Sequence, residues 1–122
     1  MKLLLDTQCW LWIFSSPDPD ETNEILLSVA SIWELGIKLA IGKLSIPEPI
    51  DGYLAKRLVS LRAKPLAITA THALRAAALP PHHKDPFDRM LIAQSQTEGI
   101  TIVTTDLAFN QYPTTPILWA GK

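Results

Sequence analysis

Short apolar runs alternate with longer segments of helical periodicity along the whole chain. Five runs predict β-strands, and they lie at residues 3–5, 25–29, 66–68, 101–104 and 117–119. They lack regular polar alternation, as expected of strands that are covered on both faces. The alternation of strands with helical segments predicts an α/β fold whose central sheet is mostly parallel.

The segments between the strands carry helix start and stop signals. Helices are predicted to begin at Thr7, to include the apolar stripe Ile32, Leu35 and Leu39 up to Gly42, to cover residues 53–61 and 71–79, and to begin again near Phe87. Glycine and proline follow the predicted ends, where they terminate helices. The polar, turn-rich stretch SSPDPDETNE, residues 15–24, predicts a surface loop.

Composition narrows the class of protein. The 122 residues, of which 48% are hydrophobic and 19% charged, predict a single domain over residues 1–122. A net charge of -1 gives no global positive field, so an anionic substrate would have to be held locally. The longest apolar run, CWLWIF, is far shorter than the roughly 20 residues of a membrane span. With one cysteine and no leader-like start, we expect a soluble protein in a reducing cytoplasm.

Four acidic residues follow predicted strands or the loops that return to them. Asp6 follows the first strand, Glu34 lies three residues into the helix after the second, Asp88 begins a later helix, and Asp106 follows the fourth strand. The carboxyl ends of parallel strands share one edge of a sheet, where such folds place their sites. Clustered carboxylates repel one another, and a hard divalent cation such as Mg²⁺ or Mn²⁺ would relieve that repulsion.

Each acid also has a purely structural interpretation. Ser31 and Glu34 form the S-x-x-E pattern of a capping box, and Asp6 or Asp106 could cap a helix. Asp85, Pro86 and Asp88 have the pattern of an N-cap, a proline at the first helical position and an acid in the first turn, which is ordinary helix-start chemistry. With Asp85 as the cap, the Asp88 carboxylate is the one expected to face a site. These interpretations do not explain why four helix starts in one small sheet should all present an acid.

The segments LLLDT, SVASIWELGIKLAIGKL, LPPHHKDPFDRMLIAQ and TIVTTD, in this order, resemble the PIN domain, and in particular the VapC ribonuclease toxins of bacterial toxin–antitoxin pairs. The resemblance implies a three-layer α/β/α domain with a central, mostly parallel sheet of four to five strands, and Mg²⁺- or Mn²⁺-dependent hydrolysis of RNA. It places the metal-binding, catalytic acids at Asp6, Glu34, Asp88 and Asp106, with supporting residues at Thr7 and Thr105.

The same resemblance implies partners. They are an RNA substrate, a small VapB-type antitoxin and a second copy in a homodimer, with no membrane. Candidate RNA contacts are Lys38, Lys43 and Arg89, and for Arg89 an ion pair with a neighbouring acid is equally open. The apolar CWLWIF helix is expected to be either buried all round or half covered by a second chain, and a homodimer or antitoxin contact is the favoured interpretation.

Two departures from the family pattern accompany the resemblance. Residues 15–24 stand where the subfamily usually has another helix, so either that helix or some residues are missing. Gln8 stands where similar sequences often carry histidine, and we assign it no catalytic role. Cys9 is expected to be buried and inert, His82 and His83 to lie on the surface, and His72 to be a helix residue.

Two alternatives to a nuclease are open. One is a catalytically weak PIN-like domain that acts as an interaction module for protein or RNA. The other is an α/β phosphatase or phosphotransferase, which would need a D-x-D pair after the first strand, whereas this chain has Asp6-Thr7-Gln8.

Overall fold

A parallel sheet of five strands forms the centre of the computed structural model, which describes residues 2–12, 23–82, 84–106, 109, 112 and 117–119. The strands are β1 (Lys2–Leu5), β2 (Glu24–Ser28), β3 (Ala63–Leu66), β4 (Thr101–Thr104) and β5 (Ile117–Trp119). They are ordered β3-β2-β1-β4-β5, and every neighbouring pair is parallel. The predicted α/β fold with a mostly parallel sheet is confirmed.

Five helices connect or flank these strands in the described part of the chain. They are α1 (Thr7–Trp12), α2 (Val29–Ala40), α3 (Ile50–Ser60), α4 (Ala70–Ala78) and α5 (Pro86–Glu98). Gly42 and Gly99 follow the ends of α2 and α5 with φ of 78° and 69°, a left-handed conformation that glycine adopts without a side-chain clash. None of the described helices has both the length and the apolarity that a membrane crossing requires.

The strands bury side chains on both faces of the sheet. Leu3 and Leu5 of β1 pack with Trp10 and Leu35 on one face, where α1, α2 and α3 lie. Leu4 points to the opposite face of the sheet, where it packs with Leu91 and Ile92 of α5. Because helices cover both faces, the arrangement is the predicted three-layer α/β/α domain.

The start of the CWLWIF segment is buried within the chain itself. Cys9 and Trp10 are 1% and 0% exposed, and Trp10 belongs to the core beside β1. For Cys9 and Trp10 the favoured contact with a second chain is therefore wrong, and burial within the chain is correct. The side chain of Trp12 and residues 13 and 14 lie outside the described part.

Several predicted boundaries are wrong, those of β1, α3 and α4 by one to three residues. β2 covers Glu24–Ser28 rather than residues 25–29, because Val29 begins α2. β3 covers Ala63–Leu66 rather than residues 66–68, since parallel pairing with β2 matches Ala63 to Ile25 and Leu66 to Ser28. This is an edge strand, where a proline such as Pro65 is tolerated. The predicted loop ends before Glu24, and its residues 15–22 lie outside the described part.

The capping-box interpretation of Ser31 and Glu34 is also wrong. Ser28 is the N-cap of α2, and its hydroxyl accepts a 3.0 Å hydrogen bond from the N–H of Ala30. Ser31 and Glu34 therefore lie within the helix, on its first and second turns, and both are buried. Their side chains are available for contacts other than capping.

We predict that Ser28→Ala lowers the free energy of unfolding by about 1 kcal/mol, because the buried cap of α2 loses its side-chain acceptor. Urea unfolding followed by circular dichroism measures the change, with the exposed Ser45→Ala as the matched control. Equal stability of the two variants would contradict the assignment of Ser28 as the cap.

Candidate active site

The strand order reverses at β1, which lies between β2 and β4 in the sheet. Chain order runs outward from β1 through β2 to β3 on one side and through β4 to β5 on the other. Such a switch point opens a crevice at the carboxyl ends of the strands. Asp6 and Asp106 follow β1 and β4 at this crevice, and the N–H of Asp6 donates to the carbonyl of Val103 at 3.1 Å.

Asp6 caps a helix and also borders the crevice. One carboxylate oxygen, Oδ1, accepts a 2.7 Å hydrogen bond from the N–H of Cys9 and so caps the short helix α1. The other oxygen, Oδ2, accepts from the hydroxyl of the buried Thr104. Only 5% of Asp6 is exposed, and this fraction borders the crevice.

Glu34 reaches the same crevice from the second turn of α2. Its Oε1 accepts a 2.6 Å hydrogen bond from the hydroxyl of Thr7, which is also 2.9 Å from the hydroxyl of Ser31. Its Oε2 is 3.3 Å from the ammonium nitrogen of Lys38, one turn further along the helix. These groups hold a carboxylate that is itself 8% exposed.

The DPFD segment has its N-cap at Asp85, as predicted, but both of its acids border the crevice. Asp85 is the N-cap of α5, and its Oδ1 accepts from the N–H groups of Phe87 at 2.8 Å and Asp88 at 3.3 Å. Asp88 lies on the first helical turn. The rings of Phe87 and Trp33 pack edge to face with centroids 5.3 Å apart, which joins the start of α5 to α2.

One open cavity of about 360 Å³ contacts all four predicted acids. Its lining consists of Asp6, Thr7, Gln8, Glu34, Lys38, Asp85, Asp88, Thr105 and Asp106. The fold thus brings together the four acids and the two threonines, and it adds Asp85, which caps α5 and borders the cavity at once.

Asp88 experiences the combined charge of the cavity. Burial, followed in order of size by the negative charges of Asp85, Glu34, Asp6 and Asp106, raises the pKa of its carboxyl from 3.8 to about 8. The four other carboxylates at the cavity therefore all disfavour ionisation of Asp88. A cation placed there would favour the ionised form of Asp88.

The donor set suits a hard divalent cation, because the cavity is lined by carboxylate and hydroxyl oxygens and a side-chain amide. Within the described residues, no three histidine, cysteine or acidic side chains already form a metal-binding cluster. The acids therefore border the cavity without converging on one point. Mg²⁺ commonly retains several waters and binds protein through one or two carboxylates, so such spacing is compatible with it.

Thr104 is a site residue that the sequence analysis missed. Its buried hydroxyl donates to Asp6 Oδ2 and accepts a 3.0 Å hydrogen bond from the N–H of Asp106, so one side chain links two of the acids. Thr105, the predicted supporting residue, is exposed and lines the cavity. The only available signal was a polar residue directly after the apolar pair Ile102 and Val103, at the carboxyl end of β4.

The three predicted RNA contacts lie in different environments. Lys38 lines the cavity next to Glu34. Lys43 is exposed beyond the end of α2 and is not part of the lining. The guanidinium of Arg89 donates to backbone carbonyls at the end of α4, a use that neither of its sequence interpretations anticipated.

Cysteine and histidine lie outside the chemistry of the cavity in the described residues. Burial, followed by the charge and hydrogen bond of Asp6, raises the pKa of the Cys9 thiol to about 12, so the thiol stays protonated. His72 is buried, and its Nδ1 accepts from the N–H of Thr69 while Nε2 lies 2.7 Å from Glu98. It is a helix residue, as expected. His82 is exposed beside Tyr112, and His83 lies outside the described part.

We predict that, without divalent cations, wild-type stability falls relative to Asp88→Asn as pH rises between about 4 and 8. A raised pKa means that the folded protein keeps a proton that the unfolded chain releases, so the stabilising contribution is complete below pH 3.8 and is lost through about pH 8. Urea unfolding in EDTA measures this, with Asp51→Asn in the exposed first turn of α3 as control. Parallel pH profiles of wild type and Asp88→Asn would contradict the prediction.

Comparison with known proteins identifies relatives and structures with a similar fold. A curated relative, ribonuclease VapC16 of Mycobacterium tuberculosis, is 39% identical over 59 residues, which are 48% of this chain and only 42% of the relative's length. The structure of VapBC2 from Rickettsia felis bound to a promoter DNA fragment matches with a TM-score of 0.75 and 17% identity, over 99% of this chain and 100% of that chain.

Two further solved structures have the same fold. DNA-bound VapBC from Salmonella typhimurium matches with a TM-score of 0.71 and 18% identity, over 98% of each chain. VapBC-5 from Mycobacterium tuberculosis matches with a TM-score of 0.61 and 17% identity, over 99% of this chain and 98% of that one. The PIN domain family profile matches residues 3–114, so this chain, with its acid-lined crevice at the sheet's switch point, belongs to the PIN domain family.

Proposed function

We propose that this chain is a single PIN domain over residues 1–122 that acts as a metal-dependent endoribonuclease toxin. The observation that carries the proposal is that Asp6, Glu34, Asp88 and Asp106 all border one cavity at the switch point of the sheet. The partial match to a curated VapC ribonuclease supports the reaction class. Mg²⁺ or Mn²⁺ is the proposed cofactor because every acidic donor is a hard oxygen.

The catalytic roles follow from how each carboxylate is held. When bound, the cation would supply a nucleophilic water near neutral pH and neutralise charge on the phosphate. Asp6 and Glu34 each have one oxygen fixed by a threonine hydroxyl, from Thr104 and Thr7, which orients the carboxylate toward the cavity. Such supporting hydrogen bonds orient metal-binding side chains and tune their basicity.

Substrate holding is assigned to cations around the cavity. Lys38 is the cation among the lining residues, and its ammonium can turn from Glu34 toward an RNA phosphate once Glu34 is engaged elsewhere. Lys43, exposed beyond α2, is proposed to contact RNA further from the reacting phosphate. Thr105, exposed at the rim, is proposed to support the site.

A small VapB-type antitoxin and a second copy of the chain are the proposed protein partners. The similar solved structures are named as VapBC complexes, which supports the antitoxin. For the homodimer, the buried Cys9 and Trp10 of CWLWIF offer no surface to a second copy. Exposed apolar side chains that could form such an interface are Val29, Trp33 and Ile41, on and just after α2, which are 38%, 64% and 59% exposed. The proposed location of the protein is the cytoplasm, where it would meet its proposed RNA substrate.

We predict that Asp6→Asn lowers Mn²⁺-dependent RNA cleavage by more than about 100-fold, since loss of outer partners of metal ligands alone costs 10–100-fold. The amide oxygen of asparagine can still accept the Cys9 N–H bond, so the fold should be kept. Cleavage of a labelled RNA, with and without Mn²⁺, measures the effect.

Thermal unfolding provides the activity-independent control for this experiment. Mn²⁺ at about 100 times its Kd should stabilise the wild type by about 2.7 kcal/mol, and Asp6→Asn by clearly less. Full cleavage by Asp6→Asn would remove the acid quartet from the mechanism. A wild type that binds RNA without cutting it in Mn²⁺ would instead favour the interaction module.

A second pair of variants separates the two aspartates of DPFD. We predict that Asp85→Asn keeps substantial cleavage, because asparagine caps a helix as well as aspartate does, whereas Asp88→Asn abolishes cleavage. Asp85→Ala should retain the Asp88 carboxylate but lose about 1 kcal/mol of stability. The same RNA assay and urea unfolding measure both, and an active Asp88→Asn beside an inactive Asp85→Asn would reverse the roles.

A further inference from the structure

The guanidinium of Arg89 binds the end of helix α4. Its Nη2 donates to the carbonyls of Ala76 and Leu79, both at 2.8 Å, and its Nη1 donates to the carbonyl of Pro80 at 3.0 Å. Arg89 is the residue directly after Asp88 on the first turns of α5. One side chain therefore ties the start of α5 to the end of α4.

This contact occurs where α4 needs an external cap. Its C-cap residue, Leu79, is extended, with φ of -61° and ψ of 145°, so it does not form the left-handed turn in which backbone N–H groups satisfy the last carbonyls of a helix. These carbonyls also carry the negative end of the helix dipole, which a guanidinium complements. Arg89 supplies both hydrogen bonds and positive charge to this end.

A second residue binds the same loop. The buried Tyr112 donates its hydroxyl to the carbonyl of Pro80 at 2.8 Å, so both lone pairs of that oxygen have donors. Pro80 begins the loop that leads to Asp85, the N-cap of α5. The loop is thus held near its start by two side chains and at its end by the cap.

We propose that Arg89 is a positioning residue that fixes the first turn of α5, and with it the Asp88 carboxylate, at the cavity. The inference rests on the proposed nuclease function. Asp88 borders the cavity while its neighbour Arg89 binds α4, so a shift of this turn relative to α4 would displace Asp88. The N–H of Arg89 also donates to the carbonyl of Asp85, the N-cap of α5, at 3.0 Å. Arg89 is therefore bonded both to the cap of its own helix and to the end of α4, and we call this second set of bonds the clamp.

Three carbonyls around one planar group explain why arginine is needed. A guanidinium presents several N–H donors in a fixed fork, whereas the ammonium of lysine is a compact point charge on a flexible stem. Lysine at this position would keep the charge but could not hold the carbonyls of Ala76, Leu79 and Pro80 in the same geometry. This role replaces a direct phosphate contact for Arg89.

Steady-state cleavage of RNA by Arg89→Lys and Arg89→Gln tests the proposal. We expect kcat to fall about 10- to 100-fold in both variants, since a displacement of about 1 Å at a reacting group can cost about 100-fold, while KM for RNA stays within about twofold. Arg75→Gln is the matched control, because Arg75 also joins α4 to α5, through a 3.3 Å bond to Gln96 near the other end of α5. It should behave as wild type.

Each alternative has its own result. A raised KM with unchanged kcat would make Arg89 an RNA contact, and a lowered melting temperature with both constants unchanged would make it purely structural; either overturns the proposal. If both Arg89 variants fail to fold, Tyr112→Phe removes the second bond to Pro80 and must lower kcat at constant KM for the proposal to stand. An inactive wild type refutes the proposed function itself, whereas an active wild type with unchanged Arg89 variants refutes only this inference.

Discussion

Parallel pairing of β1 with β2 on one side and β4 on the other is the constraint on which the site depends. In a parallel ladder the carboxyl ends of adjacent strands come to the same edge, and the chain must leave each strand there. Asp6 leaves β1 and Asp106 leaves β4 at neighbouring points, while α2 brings Glu34 back over the same edge. A one-residue slip of β1 would move its leucines to the opposite faces, so the two-sided core also fixes where Asp6 emerges.

Gathering acids at that edge costs free energy, and nearby polar groups offset part of it. The buried carboxylates of Asp6 and Glu34 accept hydrogen bonds from Thr104 and Thr7, and Lys38 lies beside Glu34. Asp88 bears the remaining repulsion, which, together with burial, raises its pKa to about 8. A cation in the cavity would relieve this repulsion, so the repulsion would contribute to the affinity of the proposed metal site.

Helix-capping and cavity-lining positions coincide at two residues. Asp6 caps α1 through one oxygen and borders the cavity with the same carboxylate, and Asp85 caps α5 while lining the cavity. The helix-start interpretation and the site interpretation were therefore not exclusive at these positions. A capping carboxylate is fixed by backbone N–H groups, so it is already oriented when a ligand arrives.

The sequence by itself determined the α/β class, the parallel sheet, the placement of the four acids at one edge of it and the helix cap at Asp85, because strand length, helix punctuation and N-cap chemistry are local properties of the chain. The likeness of its motifs to the PIN domain was also readable without coordinates. Only the tertiary structure decided the cap of α2 at Ser28 and the register of β3, since both depend on pairing between strands. It alone revealed Thr104, whose bond to Asp6 joins residues 98 positions apart, and the clamp of Arg89 on α4. Side-chain partners of this kind are set by how the elements pack, and no local pattern in the sequence encodes them.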